Sequence, residues 1–306
     1  MSQQPKFRFY PTLLDSFQNY VDSDSIWDKY YGNCETPSIS VEEFHDQKRQ
    51  DLLDNINRVK HEPSEAASKG TCLNEIVDRI VMGICPSDSE VIVKTIRNLE
   101  SCQDAIKHRV FDSNKSNEEN EEMCAVKAQE LLEKIRQPFI YTSVDGFEFF
   151  FDINFCKEIA KYFSGCLCQY RTSAILPTAK GDVELYGYID YLREKSIYDL
   201  KTTKSYAFGN YTKYNQRHAY PYCMEESGMM TEVRDFEFTA YQLSGGTSKT
   251  PLITGKQNKE VYTYSRKQSI EILTQNCEKL IDFIHDNMDQ IELTKTKIFN
   301  DYGTSD

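Results

Sequence analysis

The spacing of apolar residues changes period part-way along the chain. In the first half, Leu73, Ile76, Val77, Ile80, Val81 and Ile84 fall on one face of a helix predicted from Gly70 onward. Pro86 should stop it. Ser87 followed by Glu90 reads as a capping box for a second helix, striped by Ile92, Ile96, Leu99, Cys102 and Ile106. Ala128, Leu131, Leu132 and Ile135 mark a third, ended before Pro138. Upstream, residues 8–32 read as a helix and turn with aromatic anchors at Phe17, Tyr20, Trp27, Tyr30 and Tyr31. The run 112–122, DSNKSNEENEE, is polar and charged and is expected to form an exposed, partly disordered loop.

Beyond Pro138 the texture becomes that of strands. Residues 140–151, IYTSV-DG-FEFFF, predict a hairpin, with Asp145-Gly146 suited to a tight type I′ turn. A short helix over 154–164 follows. Residues 166–178, 183–192 and 196–203 then read as successive strands joined by short polar turns. A helix containing Gln216 and Tyr220 comes next, then strands around 234–243 and 260–264. Ser265 with Gln268 should cap a long last helix striped by Ile270, Leu273, Cys277, Leu280, Ile281, Ile284, Met288 and Ile291. Helix, three strands, helix and strand in that order imply an α/β fold with a central mixed sheet flanked by helices.

Within the strands, residues 187–203 (GYIDYLREKSIYDLKTT) concentrate the chemistry. Asp190 closes one apolar run and Asp199 lies between Ile197-Tyr198 and Leu200, where an unpartnered charge is costly. Asp199 and Lys201, two apart, project from one face of a strand. Two carboxylates and an ammonium held together call for a divalent cation or a phosphate, which is the equipment of a metal-dependent phosphodiesterase. The bland alternative is two surface aspartates and a solvated lysine.

The net charge of −12 argues at first against a polyanionic substrate. A phosphate, however, feels charge only through ~8 Å of screening. Residues 200–224 contain no acid, and carry Lys201, Lys204, Lys213 and Arg217 interleaved with Tyr206, Phe208, Tyr211, Tyr214, Tyr220 and Tyr222. Such a stretch directly after the paired carboxylates is a local footprint for nucleic acid, or else a tyrosine-rich loop packed on the core. No apolar run approaches the ~20 residues of a membrane span. The opening residues lack the pattern of a secretory signal, and the ten cysteines form no Cys-x-x-Cys pair, so a reduced, cytoplasmic protein is expected. The five histidines fall in no ligand spacing, so no structural zinc is expected. The run 244–250, SGGTSKT, lacks the glycine before lysine of a phosphate-binding loop; it should join two strands and bind no nucleotide. No Gly-x-Ser-x-Gly elbow of a serine hydrolase is present.

These residues resemble the RecB-like, phage-exonuclease branch of the PD-(D/E)XK nuclease superfamily. Residues 10–32 are similar to the family's opening helix with its aromatic tail. Gly70-Thr-Cys-Leu-Asn-Glu75 looks like the Gly-x-x-x-His/Glu motif, and Asp190 with Asp199-Leu200-Lys201-Thr202 like the two central motifs. Gln216-x-x-x-Tyr220 looks like the Gln-x-x-x-Tyr motif, with Pro221 a departure that should kink its helix. The resemblance implies a restriction-endonuclease-like core (α-β-β-β-α-β) within a single domain, 1–306. That core would be drawn from 8–85 and 138–291, with a helical insertion at 86–137 that carries the exposed loop 112–122.

By that resemblance Asp190, Asp199 and the backbone carbonyl of Leu200 would hold Mg²⁺ or Mn²⁺. Asp190, Asp199 and Lys201 would be catalytic. Lys201 would steady the attacking hydroxide or the charge growing on the phosphate. Many relatives place a histidine ligand where this chain has Asn74. Glu75 is the chemically natural ligand there, although at ~100° per residue it points away from the stripe that Asn74 flanks. Gln216 and Tyr220 would hold substrate or brace the site, with Lys204, Lys213 and Arg217 on the substrate's backbone. Only Cys277 lies beyond Cys223, so the iron–sulfur cluster of some relatives should be absent. The implied activity is DNA hydrolysis in repair or recombination, exonuclease more than endonuclease, by a homo-oligomer or alongside a recombination partner protein. Two rivals stay open: a catalytically inactive nucleic-acid-binding module on the same fold, and a protein-interaction or phage accessory factor.

Overall fold

The computed structural model describes residues 6–84, 89–230 and 232–299. Its elements run β1 (Phe7–Phe9), α1 (Pro11–Val21), α2 (Ser23–Tyr31), α3 (Val41–Ile56), α4 (Glu65–Met82), β2 (Ile92–Ile96), α5 (Leu99–Val110), α6 (Asn117–Lys134) and the hairpin β3 (Phe139–Val144) and β4 (Phe147–Asp152). They continue with α7 (Ile153–Tyr162), β5 (Leu167–Leu176), β6 (Val183–Arg193), β7 (Ser196–Thr203), α8 (Gln216–Glu226), β8 (Asp235–Ser244), β9 (Leu252–Thr263) and α9 (Arg266–Asp286). The fold is α/β. The strands form one mixed sheet in the order β1-β6-β7-β8-β9-β4-β3-β2, with β5 on β6 outside that path. The pairs β1/β6, β7/β8 and β4/β9 are parallel and the others antiparallel.

Both faces of the sheet are covered. Leu200 on β7 packs into a cluster with Leu73, Ile76 and Val77 of α4 and Ile159 of α7. Its neighbours Asp199 and Lys201 instead reach Gln216 on α8, as strand alternation requires of opposite faces. Behind α8, the apolar sides of α1, α3 and α9 meet β1 and β6 around Leu13, Phe17, Leu52, Leu185, Cys277 and Leu280.

Several expectations need correction. Residues 92–96 are a strand, not the start of a helix: the β-branched run Ile-Val-Lys-Thr-Ile pairs with β3. The helix begins at Leu99 under an Asn98 cap, and the proposed start at Ser87 lies outside the described residues. The segment 112–122 is not one exposed loop, because Ser116 and Glu119 form a capping box that opens α6 at Asn117. Segment 86–137 is therefore not wholly helical. Its strand lengthens the sheet, and α5 and α6 share a core with Phe139 and Tyr141 of β3.

At the other end of the chain, β9 is much longer than 260–264, and α9 stops at Asp286, short of Met288 and Ile291. Ser265 makes no side-chain cap bond to α9. Pro221 does not end α8, which runs on to Glu226. The predicted hairpin is present, with Asp145 and Gly146 both at positive φ (53° and 79°), as a type I′ turn needs.

Candidate active site

The site is a fork in the sheet. β5 pairs with β6 from Val183 to Leu192 and so occupies one of its edges throughout. The other edge is divided: β1 takes Val183–Leu185 and β7 takes Tyr191–Arg193. Residues 186–190 have no strand partner on that edge. The last pair before the gap is Tyr191 with Tyr198, so Asp190 and Asp199 are the first positions past it, facing each other across the opening. The strands are pinned just below. The Phe163 ring stacks on Tyr191 at 3.9 Å with its plane tilted by 6°, and meets Tyr198 edge-on.

Asp190 fills the gap that the lost pairing leaves. Its Oδ2 accepts the backbone N–H of Leu200 at 2.9 Å. Because a strand residue sends its N–H and C=O to the same edge, the Leu200 carbonyl opens onto the gap as well. Burial and the neighbouring Asp199 charge push the Asp190 carboxyl up to about 7, against the opposing pull of Lys201 and the Leu200 N–H. Asp199, 2% exposed, accepts from Gln216 Nε2 at 2.7 Å, and its Oδ2 lies 2.6 Å from Lys201 Nζ. Lys201 also donates to Gln216 Oε1 at 3.0 Å. Burial would lower the Lys201 ammonium, but Asp199 and Asp190 beside it hold its pKa above the ordinary lysine value. It is therefore a fixed positive charge.

α4 lies across the fork with one residue per turn toward it. Gly70 sits so close to β7 that a Cβ there would come within 2.9 Å of Thr202 Oγ1. Two turns on, Asp78 accepts from Tyr191 Oη at 2.7 Å and from Gln169 Nε2 at 3.1 Å. Asp78 is also one of the charges that raise the Asp190 carboxyl. Asn74 lies midway on this face, and its Oδ1 is buried without a hydrogen-bond partner. Glu75 is turned away to Arg79, Oε1 to Nε at 2.7 Å. The expectation that placed Glu75 ahead of Asn74 is thus reversed by helix rotation.

The remaining candidates divide. Gln216 and Tyr220 are both buried (8% and 7% exposed), so they brace the site instead of offering a surface to substrate. Tyr220 packs against the bare backbone of Gly187 on β6, where a Cβ would come within 2.7 Å of its ring. Lys204 is exposed in a cleft with Thr202, Lys69 and Gly246, the last from the 244–250 turn. Lys213 pairs with Asp22 at 2.6 Å. Arg217 lies 4.5 Å over the Tyr262 ring, away from the carboxylates. In the basic aromatic stretch, Tyr211, Tyr220 and Tyr222 are core, whereas Phe208 is 85% exposed.

Sequence reasoning missed Asp15 on α1. Its Oδ1 accepts from the backbone N–H (2.7 Å) and Nδ2 (2.9 Å) of Asn215, the residue before Gln216. Burial raises its carboxyl to about 6, with Asn215 opposing. One hint lay in the sequence: an acid among Leu13, Leu14 and Phe17, all core residues.

Among the described residues no three His, Cys, Asp or Glu side chains cluster as a metal site. The donors at the fork are instead two carboxylates, a peptide carbonyl and the Asn74 amide oxygen. All are hard oxygens, and Asn74 Oδ1 and Asp199 Oδ2 are buried acceptors that receive no hydrogen bond. That set fits a small divalent cation such as Mg²⁺, which takes one or two carboxylates and keeps several waters.

No protein-family model matches the chain, and no curated protein matches it. Solved structures similar to it include SSO0001, at 6% identity over 69% of this chain and 85% of that one, with a TM-score of 0.26. Rai1 of Scheffersomyces stipitis is another, at 8% identity over 81% and 69%, with a TM-score of 0.20. Its complex with (3'-NADP)+ and calcium ion gives 9% identity and a TM-score of 0.19. Likeness at this level carries no argument about fold family or activity. No helix of the described residues is long and apolar enough to cross a membrane.

Proposed function

We propose that this protein is a Mg²⁺- or Mn²⁺-dependent deoxyribonuclease built on a restriction-endonuclease-like core. The observation that carries the reading is the fork itself. Asp190 and Asp199 face each other where two strands part, with Lys201 at 2.6 Å from Asp199 and Asn74 presenting a free oxygen from above. A cation bound there would lower the pKa of a water and polarise a phosphodiester.

The chain's own residues do the rest. Asp190 and Asp199 anchor the ion, and Leu200 N–H and Gln216 Nε2 hold the two carboxylates in place. Lys201 keeps its charge and is the donor nearest the place a phosphate must occupy, where it can stabilise charge growing on the oxygens. Gln216 fixes that ammonium through Oε1, and Tyr220 holds α8 against β6.

The inactive nucleic-acid-binding module is the second reading, favoured by one observation: the α4 position facing the fork is an uncharged Asn74. The test is degradation of linear DNA with Mn²⁺, beside RNA as the competing substrate. Cleavage should be blocked by EDTA and fall at least ~10²-fold in Asp199→Asn and Lys201→Ala, with DNA binding little changed. Salt-sensitive binding without cleavage selects the module instead.

A further inference from the structure

Beside Lys201, between α1 and the start of α8, lies a cavity of about 250 Å³. It is small against the ~300–1,000 Å³ of pockets that enclose drug-sized ligands. Thr12, Asp15 and Asn19 wall one side. Their spacing places them together on α1, while Leu13, Leu14 and Phe17 bury the other face of that helix in the core. Lys201, Gln216 and Tyr214 wall the other side, so the cavity opens directly onto the catalytic lysine. Tyr214 packs on Tyr211 and Phe238 at 5.6 and 5.8 Å but stays 36% exposed, and Lys201 Nζ stands 5.8 Å from its ring.

We propose that this cavity receives the terminal nucleoside of a nucleic-acid strand, its phosphate toward Lys201, which makes the protein an exonuclease. The inference deepens the nuclease reading above and rests on it. A phosphate held at Lys201 places the attached sugar and base in the only direction this wall leaves open. The Tyr214 ring offers a stacking surface that accepts any base. Thr12 and Asn19 are exposed side chains that supply both donors and acceptors to sugar and base edges. The Asp15 carboxylate, tied down by two bonds from Asn215, repels a further phosphate. The strand must therefore end in the cavity instead of passing through it.

The test is calorimetric binding of deoxyadenosine monophosphate (3′ and 5′ isomers) and of inorganic phosphate to the full chain. One isomer should bind at least roughly tenfold more tightly than phosphate. Tyr214→Ala should erase most of that advantage and Asn19→Ala, on an exposed site, part of it. Phosphate affinity should stay the same in both. Equal affinities for nucleotide and phosphate in the parent, or an advantage intact in both variants, would overturn the proposal. DNA degradation judges the nuclease reading separately: binding as expected without cleavage sinks that reading alone, and cleavage without the nucleotide advantage sinks the cavity alone.

Discussion

Asp190 and Asp199 are separated by nine positions in sequence but meet because β6 and β7 share only three residue pairs before parting. That short pairing depends on neighbours with little room for change. Gly187 is the clearest case, since its lack of a side chain lets the Tyr220 ring lie on β6. Gly187→Ala would force the ring or the strand to shift, at a cost of about 1–3 kcal/mol. Thermal melting should show that loss, and Tyr220→Leu in the same chain should restore part of it; an unchanged melting temperature would mean that the ring is free to move. At this scale the sequence was legible where burial of charge is expensive. Asp190 and Asp199 stood out from apolar runs, and so did Lys201 at strand spacing. Asp15 did not, because its partner Asn215 lies far along the chain and no local pattern links them.

Among the elements, α4 decides what can join the two aspartates. Its Gly70–Asn74–Asp78 face lies on the fork and its Glu75 does not. Asn74→Ala should therefore weaken cation affinity roughly tenfold, within the range seen for groups that support a metal centre. Glu75→Ala should leave that affinity unchanged and cost under ~1 kcal/mol of stability, as loss of one i,i+4 ion pair does. The reverse pattern in cation titrations would return Glu75 to the site. The helical stripe over 73–81 was readable because amphipathic period survives in any context. Strand β2 was not: Ile92 and Ile96 also suit a helix, and pairing with β3 decided the outcome. Helix α3 was passed over because its apolar residues are few, although Ser40 and Glu43 form a full capping box at its start.

For the molecule as a whole, stability should depend on pH through the α8–α9 contact that backs the site. His218 is buried with Nδ1 2.9 Å from Ser269 Oγ, and burial with the nearby Arg217 charge lowers its pKa to about 4. A depressed histidine favours the folded state fully above its unfolded value of ~6.5, and that contribution is lost as pH falls toward 4. Melting temperature should drop over that window, and His218→Gln should flatten the slope; an equal slope in both chains would place the acid sensitivity elsewhere. The mixed sheet with helices on both faces was legible from the order of elements. The division of one β6 edge between β1 and β7 was not, because β1 is only three residues long and pairs from the far end of the chain.

The account rests on one cation binding where β6 and β7 separate, and a crystal of the full chain soaked in Mn²⁺ at pH 8 tests it most directly. Anomalous scattering should place a single ion within ~2.0–2.3 Å of oxygens from Asp190, Asp199 and the Leu200 carbonyl, and Asp199→Asn should abolish the peak. A saturated soak with no ion there, and Lys201 still seated on Asp199, would contradict it.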